Sequence, residues 1–403
     1  MTHAYTVPAH VPSERVVDFD FWRLPEGESD AFGHYERLRT AGTPEIVWSP
    51  YNGGHWIFCG FQAVREGYQN YGLFTSTGDS IPPVPGEKVV LIPNSLDPPE
   101  HTPYRNLLNP LFSPAQMARL QPRVRSTAVA LIDGIASAGQ CDFAADYAMK
   151  YPTSLLVYVV GLPESMLPTF LQWEHTFFRS TSLEERAAAQ ANIVGYLNEY
   201  VNAQAANPGE GIIGTLLRTK LPDGRLMTPG EVARVAHLFF LAGLDTVPNT
   251  LSFIFHHLTR YPRLQAELHE HPDRIPQYTL EFLRLYSVAA LARTVREDVE
   301  FRGVRLQAGD RVLLPTMMAN HDASEFPNPL EIDIQRENKA FITFGAGPHR
   351  CIGSHLARQE IDVTLEEWFK RIGRFELAPG AAVKSALGNT LGMYSLPLVW
   401  KPN

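Results

Sequence analysis

Between Thr228 and about Arg260 the chain carries a continuous apolar pattern of helical period. Thr228-Pro229-Gly230-Glu231 opens it: Thr228 can cap the first turn, Pro229 suits the first helical position, and Glu231 closes a capping box. Some thirty residues at 1.5 Å each span roughly 45 Å, enough to cross a whole molecule. A rod of that length predicts a mostly helical fold with minor β-structure. Its most apolar part, 236–255, is about membrane-spanning length, but Asp245, Pro248 and Asn249 lie inside it. A buried core helix fits that composition better than a membrane span. Gly243 costs a helix interior up to ~1 kcal/mol relative to alanine. Pro248 removes a backbone hydrogen bond and collides with the carbonyl of residue 244. The helix is therefore expected to bend or open around Ala242-Gly243-Leu244-Asp245-Thr246.

Residues 45–60 read as a hairpin, with β-favouring runs on either side of Tyr51-Asn52-Gly53-Gly54. Pro82, Pro83, Pro85, Pro93, Pro98 and Pro99 crowd the stretch 80–100 and predict a long shaped loop. Helical periodicity dominates from Pro114 onward, punctuated at Gly161-Leu162-Pro163 and Asn207-Pro208-Gly209, and short strands are expected near 300–314 and 387–400. At 403 residues the chain exceeds the usual single-domain length. No linker-like tract or internal repeat divides it, so 1–403 is read as a single domain, mainly α with small β-sheets. The hydrophobic content of 44% supplies a sizeable core, and a net charge of −8 speaks against nucleic-acid binding. Cys59, Cys141 and Cys351 show no C-x-x-C spacing, which speaks against a zinc ribbon or iron–sulfur framework and for a reducing compartment. The stretch 1–16 has no apolar core and is not read as a signal peptide. A soluble, cytoplasmic protein with no membrane partner is expected.

One of the cysteines lies in Phe344-Gly345-Ala346-Gly347-Pro348-His349-Arg350-Cys351-Ile352-Gly353. Cationic neighbours, backbone N–H groups and the start of a helix all favour a thiolate. Glycines let such a loop approach a large flat ligand without Cβ collisions. On the residues alone three readings stand: a buried structural thiol, a nucleophile activated by His349, or a metal-bound thiolate. Midway along the long helix, Asp245 and Thr246 read either as buried polar residues satisfied by backbone carbonyls or as a carboxylate and hydroxyl holding water in an opened turn. Glu281 and Arg284 share one helix face; alone, such a pair is worth a few tenths of a kcal/mol. His101 and Arg105, at i and i+4, are by themselves ordinary surface charge or a local anion-neutralising pair.

The spacing F-x-x-G-x-H-x-C-x-G resembles the haem-thiolate loop of the cytochromes P450, and the other motifs fall in that family's order. Ala242-Gly243-Leu244-Asp245-Thr246 resembles its A/G-G-x-D-T oxygen-activation motif. Glu281-Phe282-Leu283-Arg284, with Arg336 downstream of Phe326-Pro327-Asn328-Pro329, resembles its Glu-Arg-Arg network, and His101 with Arg105 its H-x-x-x-R motif. The resemblance runs from about Asp18 to the C-terminus. It is closer still to the class I bacterial camphor-hydroxylase branch at 92–100, 243–247, 355–358 and 396–400. It implies the cytochrome P450 fold and haem b, with Cys351 as iron ligand and Phe344, Gly353 and Ala242 against the haem. It also implies a propionate cradle of His101, Arg105, Arg293 and His349, proton delivery by Thr246 and Asp245, and bracing by Glu281, Arg284 and Arg336. O2 is then the co-substrate, and electrons come from a [2Fe–2S] ferredoxin with an NADH-dependent ferredoxin reductase. That ferredoxin would dock at Arg105, Arg350 and Arg358, and the enzyme would be a monomer.

Two departures bear on the substrate. The tyrosine that holds the ketone in camphor hydroxylase corresponds to Val89, and a pocket aspartate to Leu291. Neither can donate a hydrogen bond. With Leu91, Leu238, Leu241, Ala242, Ala289, Thr390 and Met393 they outline a mainly apolar pocket, leaving Asn94 as a polar contact. The resemblance thus implies a haem-thiolate monooxygenase that hydroxylates a small hydrophobic terpenoid, extending to norisoprenoid ketones of the ionone type rather than camphor. A camphor-type monoterpenoid hydroxylase is one alternative. Another is a haem-thiolate isomerase or peroxygenase needing no ferredoxin, against which the intact Asp245-Thr246 pair weighs.

Overall fold

The hairpin read at 45–60 is present: β1 (Ile46–Ser49) pairs antiparallel with β2 (His55–Phe58), with Trp48 opposite Trp56. Gly54 N–H donates to Tyr51 O at 2.9 Å across a turn in which Asn52 and Gly53 take φ of 55° and 83°. The structure is a computed structural model and describes residues 7–39, 42–78, 80–82, 90–180 and 182–402. Val89, read as a pocket residue, lies outside the described residues. Three more strands extend the hairpin: β3 (Phe74–Thr75), β4 (Ala290–Val295) and β5 (Arg311–Pro315), in the order β1-β2-β5-β4-β3. The β2–β5 pairing is parallel and the others antiparallel. The expectation of strands near 300–314 and 387–400 holds, but β4 is an addition. Alanines and an arginine give it little β-propensity, and pairing along both edges makes it a strand.

Helices make up 52% of the described residues. Six of them build the site: α1 (His101–Leu108), α2 (Lys150–Val160), α3 (Pro229–Leu244), α4 (Thr246–Arg260), α5 (Ile275–Leu285) and α6 (Ser354–Arg371). The capping box forms, with Glu231 N–H donating to Thr228 Oγ1 at 3.2 Å and Thr228 N–H to Glu231 Oε2 at 2.7 Å. The rod opens where Gly243 and Pro248 predict: α3 stops at Leu244, and Asp245 takes φ −108°, ψ −27° before α4 resumes. Gly243 has a packing reason. A Cβ there would lie 3.1 Å from Leu156 Cδ1, so any other residue would push the Leu156 side chain of α2 back by a few tenths of an ångström. Residues 229–260 form the one helical segment, among the described residues, long and apolar enough to cross a membrane; 67% of its most apolar window is buried in the protein.

The core falls into three clusters. In the largest, Phe143 stacks on Phe255 at 3.8 Å and Trp368 of α6 meets both edge-on. A second gathers around α2 and α3, and a third lies on the sheet. Helix α6 bridges the first two: Ile361, Leu365 and Trp368 belong to the largest, while Leu356 and the preceding Ile352 pack on the cluster containing Phe240 and Leu244. The cysteine loop is thus brought against the same cluster as the opened rod.

Candidate active site

Cys351 N–H donates to Phe344 O at 2.8 Å and closes the base of the loop. Its tip passes over the helix Phe61–Gln69 at Gly347, whose φ is 70°. A Cβ there would come within 2.7 Å of Tyr68 O, so this position tolerates no side chain. Helix α6 begins three residues after Cys351, and the Gly353 N–H is directed at the sulfur. Cys351 keeps accessible surface although protein surrounds it. Burial pushes the thiol up, and the Gly353 N–H, Arg105 and Arg350 pull the other way without cancelling it. Arg105 Nη2 donates to Arg350 O, and the Arg358 guanidinium lies 5.8 Å from the Phe344 ring. No Cys351–His349 hydrogen bond occurs among the described residues; His349 turns instead to His101, ring centroids 4.5 Å apart. That arrangement does not support the activated-nucleophile reading. A thiol held up by burial becomes a thiolate only with a compensating cation, so the pKa direction alone leaves the structural-thiol and metal-ligand readings both standing.

The structure brings His101, Arg293 and His349 together beside Arg105. Arg293 is 6% exposed, lies 5.4 Å from the Tyr68 ring and donates to Ala292 O at 2.7 Å. Neither Arg293 nor Arg105 has a carboxylate within ion-pair distance among the described residues. The buried Nε2 of His101 makes no hydrogen bond. Burial, aided by His349 and Arg105, pulls His101 down to about 4. The single acid in the group is Asp97, whose Oδ1 is 3.6 Å from His349 Nε2. It also accepts from the Ser76 N–H at 3.0 Å and from Thr75 and Arg296. Burial pushes the Asp97 carboxyl up, but His349, Thr75, Ser76 and Arg296 outweigh it and hold it well below the usual range. Two buried or half-buried guanidiniums and the unpaired ring nitrogen of His101, with one shared aspartate among them, form a cradle short of negative charge. The two propionates of haem b fit it. Asp97 escaped the sequence reading although it lies inside the family-like stretch 92–100; its partners Thr75, Arg296 and His349 are remote in the chain.

At the opened rod, Thr246 Oγ1 donates to Ala242 O at 3.2 Å, and Asp245 is buried with Oδ1 accepting from Asn249 Nδ2 at 2.8 Å. Ala242 is exposed and Leu238, Leu241 and Thr246 are half-buried, although they sit in the middle of a core helix. Accessible surface also appears at Leu91, Asn94, Ala289 and Thr390, the last two joined by an antiparallel bridge. Leu291 on β4 is 40% exposed. Met393 differs from these. It is 3% exposed, packs within the main core cluster and donates its N–H to Asn249 Oδ1 at 2.8 Å.

Glu281, Arg284 and Arg336 meet in a buried knot. Arg284 Nε and Nη2 each donate to the Glu281 carboxylate at 3.0 Å, and Arg336 Nε donates at 3.2 Å. Arg284, 0% exposed, also reaches the carbonyls of Asn320, Pro329 and Glu331, and Arg336 reaches that of Pro327. The knot thereby ties α5 to the segment leading into the cysteine loop. Glu281→Ala leaves two guanidiniums buried without their counter-charge and should cost about 3–5 kcal/mol. Denaturant unfolding checks this; a loss under about 1 kcal/mol, the scale of a surface pair, would contradict it.

Residues 163–401 match the family model described as Cytochrome P450. The chain is 33% identical to the Probable cytochrome P450 127A1 of Sinorhizobium fredii, over 98% of this chain and 97% of that one. Among solved structures it is similar to that of CYP101J2, with 33% identity, a TM-score of 0.89 and coverage of 98% of this chain and 99% of that chain. It is also similar to that of CYP101C1, with 32% identity, a TM-score of 0.90 and coverage of 98% and 100%. The family match and these relatives, aligned over nearly the whole chain, show that the chain belongs to the cytochrome P450 family and is a monooxygenase that carries haem b and uses O2 as co-substrate.

Proposed function

We propose that this monooxygenase hydroxylates a small hydrophobic terpenoid, extending to norisoprenoid ketones of the ionone type, with electrons from a [2Fe–2S] ferredoxin and its NADH-dependent reductase. The observation that carries the substrate reading is Leu291. It is 40% exposed on a strand whose other residues are buried or half-buried, and it shares a strand face with Arg293 of the cradle. An exposed leucine on the same strand face as the buried Arg293 supports an apolar wall next to the haem. Leu91, Leu238, Leu241, Ala242, Ala289 and Thr390 would continue it, with Asn94 as polar contact. The same reading takes 1–403 as one domain and a monomer in the cytoplasm.

Thiolate-bound haem supplies O–O cleavage and transfer of one oxygen atom to a C–H bond. In this proposal the chain's own groups prepare that step. Cys351 Sγ binds the iron, steadied by Gly353 N–H, and Phe344 holds the Cys351 N–H. His101, Arg105, Arg293 and His349 take the propionates. Thr246 Oγ1 and the Asp245 carboxylate pass protons toward the oxygen-binding side. The ferredoxin would approach Arg350, the exposed member of the three cations; Arg105 and Arg358 are engaged within the loop.

Optical titration of the ferric enzyme tests the substrate. β-Ionone should shift the spin state and camphor should bind roughly tenfold more weakly, the effect of one missing hydrogen bond. A full shift with camphor and none with β-ionone would overturn the reading. Equal turnover with hydrogen peroxide alone would overturn the ferredoxin route.

A further inference from the structure

Asn249 is 0% exposed on the first turn of α4, and every polar group of its side chain is engaged. Its Nδ2 donates to Asp245 O at 2.7 Å and to Asp245 Oδ1 at 2.8 Å, while its Oδ1 accepts the Met393 N–H at 2.8 Å. The amide cannot be turned over: its oxygen would then face two acceptors and its nitrogen a donor. The backbone bond from Asn249 N–H to the same Asp245 carbonyl is long, at 3.3 Å, as suits a helix opened by Pro248. The side chain therefore supplies the shorter bond that the opened turn lacks.

Met393 pairs with Ser385, Leu391 N–H donates to Val288 O at 2.9 Å, and Thr390 bridges Ala289. Asn249 thus joins the segment carrying Thr390 to the carboxylate at the break in the rod. We propose that Asn249 is a positioning residue for proton delivery: it holds the Asp245 carboxylate and carbonyl in one arrangement and ties that arrangement to the strand beside Thr390. Movement of the strand as substrate settles against Thr390 is passed to Asp245 through two hydrogen bonds, with no freely rotating link between them. This rests on the proposal that Asp245 and Thr246 deliver protons.

Asn249→Ser and Asn249→Asp separate positioning from plain structural support. A serine hydroxyl bonds the carbonyl four residues back, as Ser252 does to Pro248 O at 2.9 Å, so Asn249→Ser restores the helix bond without reaching the carboxylate. Asn249→Asp keeps the shape but sets a second carboxylate against Asp245. Both variants should retain haem and the Soret band of the wild-type CO complex. In both, the infrared stretch of bound CO should broaden or split as Asp245 takes more than one position. With β-ionone, product per NADH should fall severalfold, and the solvent isotope effect on turnover should rise. If Asn249→Asp does not fold, Asn249→Ser decides alone. A single wild-type CO band with wild-type coupling in Asn249→Ser overturns the inference. If Asp245→Asn and Thr246→Ala also stay coupled, the failure lies with the proton-delivery reading; if those two uncouple and Asn249→Ser does not, it lies with Asn249.

Discussion

Cys351→Ser, reduced under CO, should lack the strongly red-shifted Soret band and should lose monooxygenase activity. The loss should exceed the roughly 10–100-fold that removal of an outer partner costs a metal site. Burial already pushes the Cys351 thiol up, against Gly353 N–H, Arg105 and Arg350, and a serine hydroxyl is far harder to ionise. The fold should survive. The bond that closes the loop, Cys351 N–H to Phe344 O, belongs to the backbone, and the clamps from Arg105 and Arg358 do not use the sulfur. A serine variant with an unchanged CO spectrum would remove Cys351 as the ligand.

Thr246→Ala should go on consuming NADH while diverting oxygen to peroxide. Product per NADH should fall by roughly 10²-fold, the low end of what a positioned proton donor contributes, since Asp245 remains. Stability should hardly change. The hydroxyl's bond to Ala242 O is worth about 1 kcal/mol, and alanine recovers a few tenths through its helix propensity. Measuring peroxide and product together checks this, and fully coupled turnover would refute the role of Thr246.

Legibility followed the range of the interaction. The capping box at Thr228–Glu231, the Asn52-Gly53 turn and the break in the rod could be read directly because each depends on neighbours within a few residues. Gly243 is legible as an anomaly, and the close approach of the Leu156 side chain, which the sequence does not show, gives it a packing role. Strand β4 was not legible, because its ladder bonds come from residues that its own composition does not announce. The side-chain pattern of Met393 points to an apolar pocket wall; what it could not show is that the Met393 backbone N–H is tied to Asn249 Oδ1. No side-chain pattern can reveal a backbone donor.

The chemistry is written in local spacing: a cysteine in a glycine loop, a carboxylate and hydroxyl at a helix break, and the order of motifs that relates the chain to the cytochromes P450. These are matters of local spacing, and the backbone enforces spacing wherever the segment folds. Tertiary structure alone decided how the groups are held. It buried His101, Arg293 and His349 around one aspartate, brought Arg105 to the Arg350 carbonyl 245 residues away, and set Asn249 between Asp245 and Met393, 144 residues further on. The energy of a charge or a hydrogen bond depends on what surrounds it, and those surroundings exist only when distant segments pack.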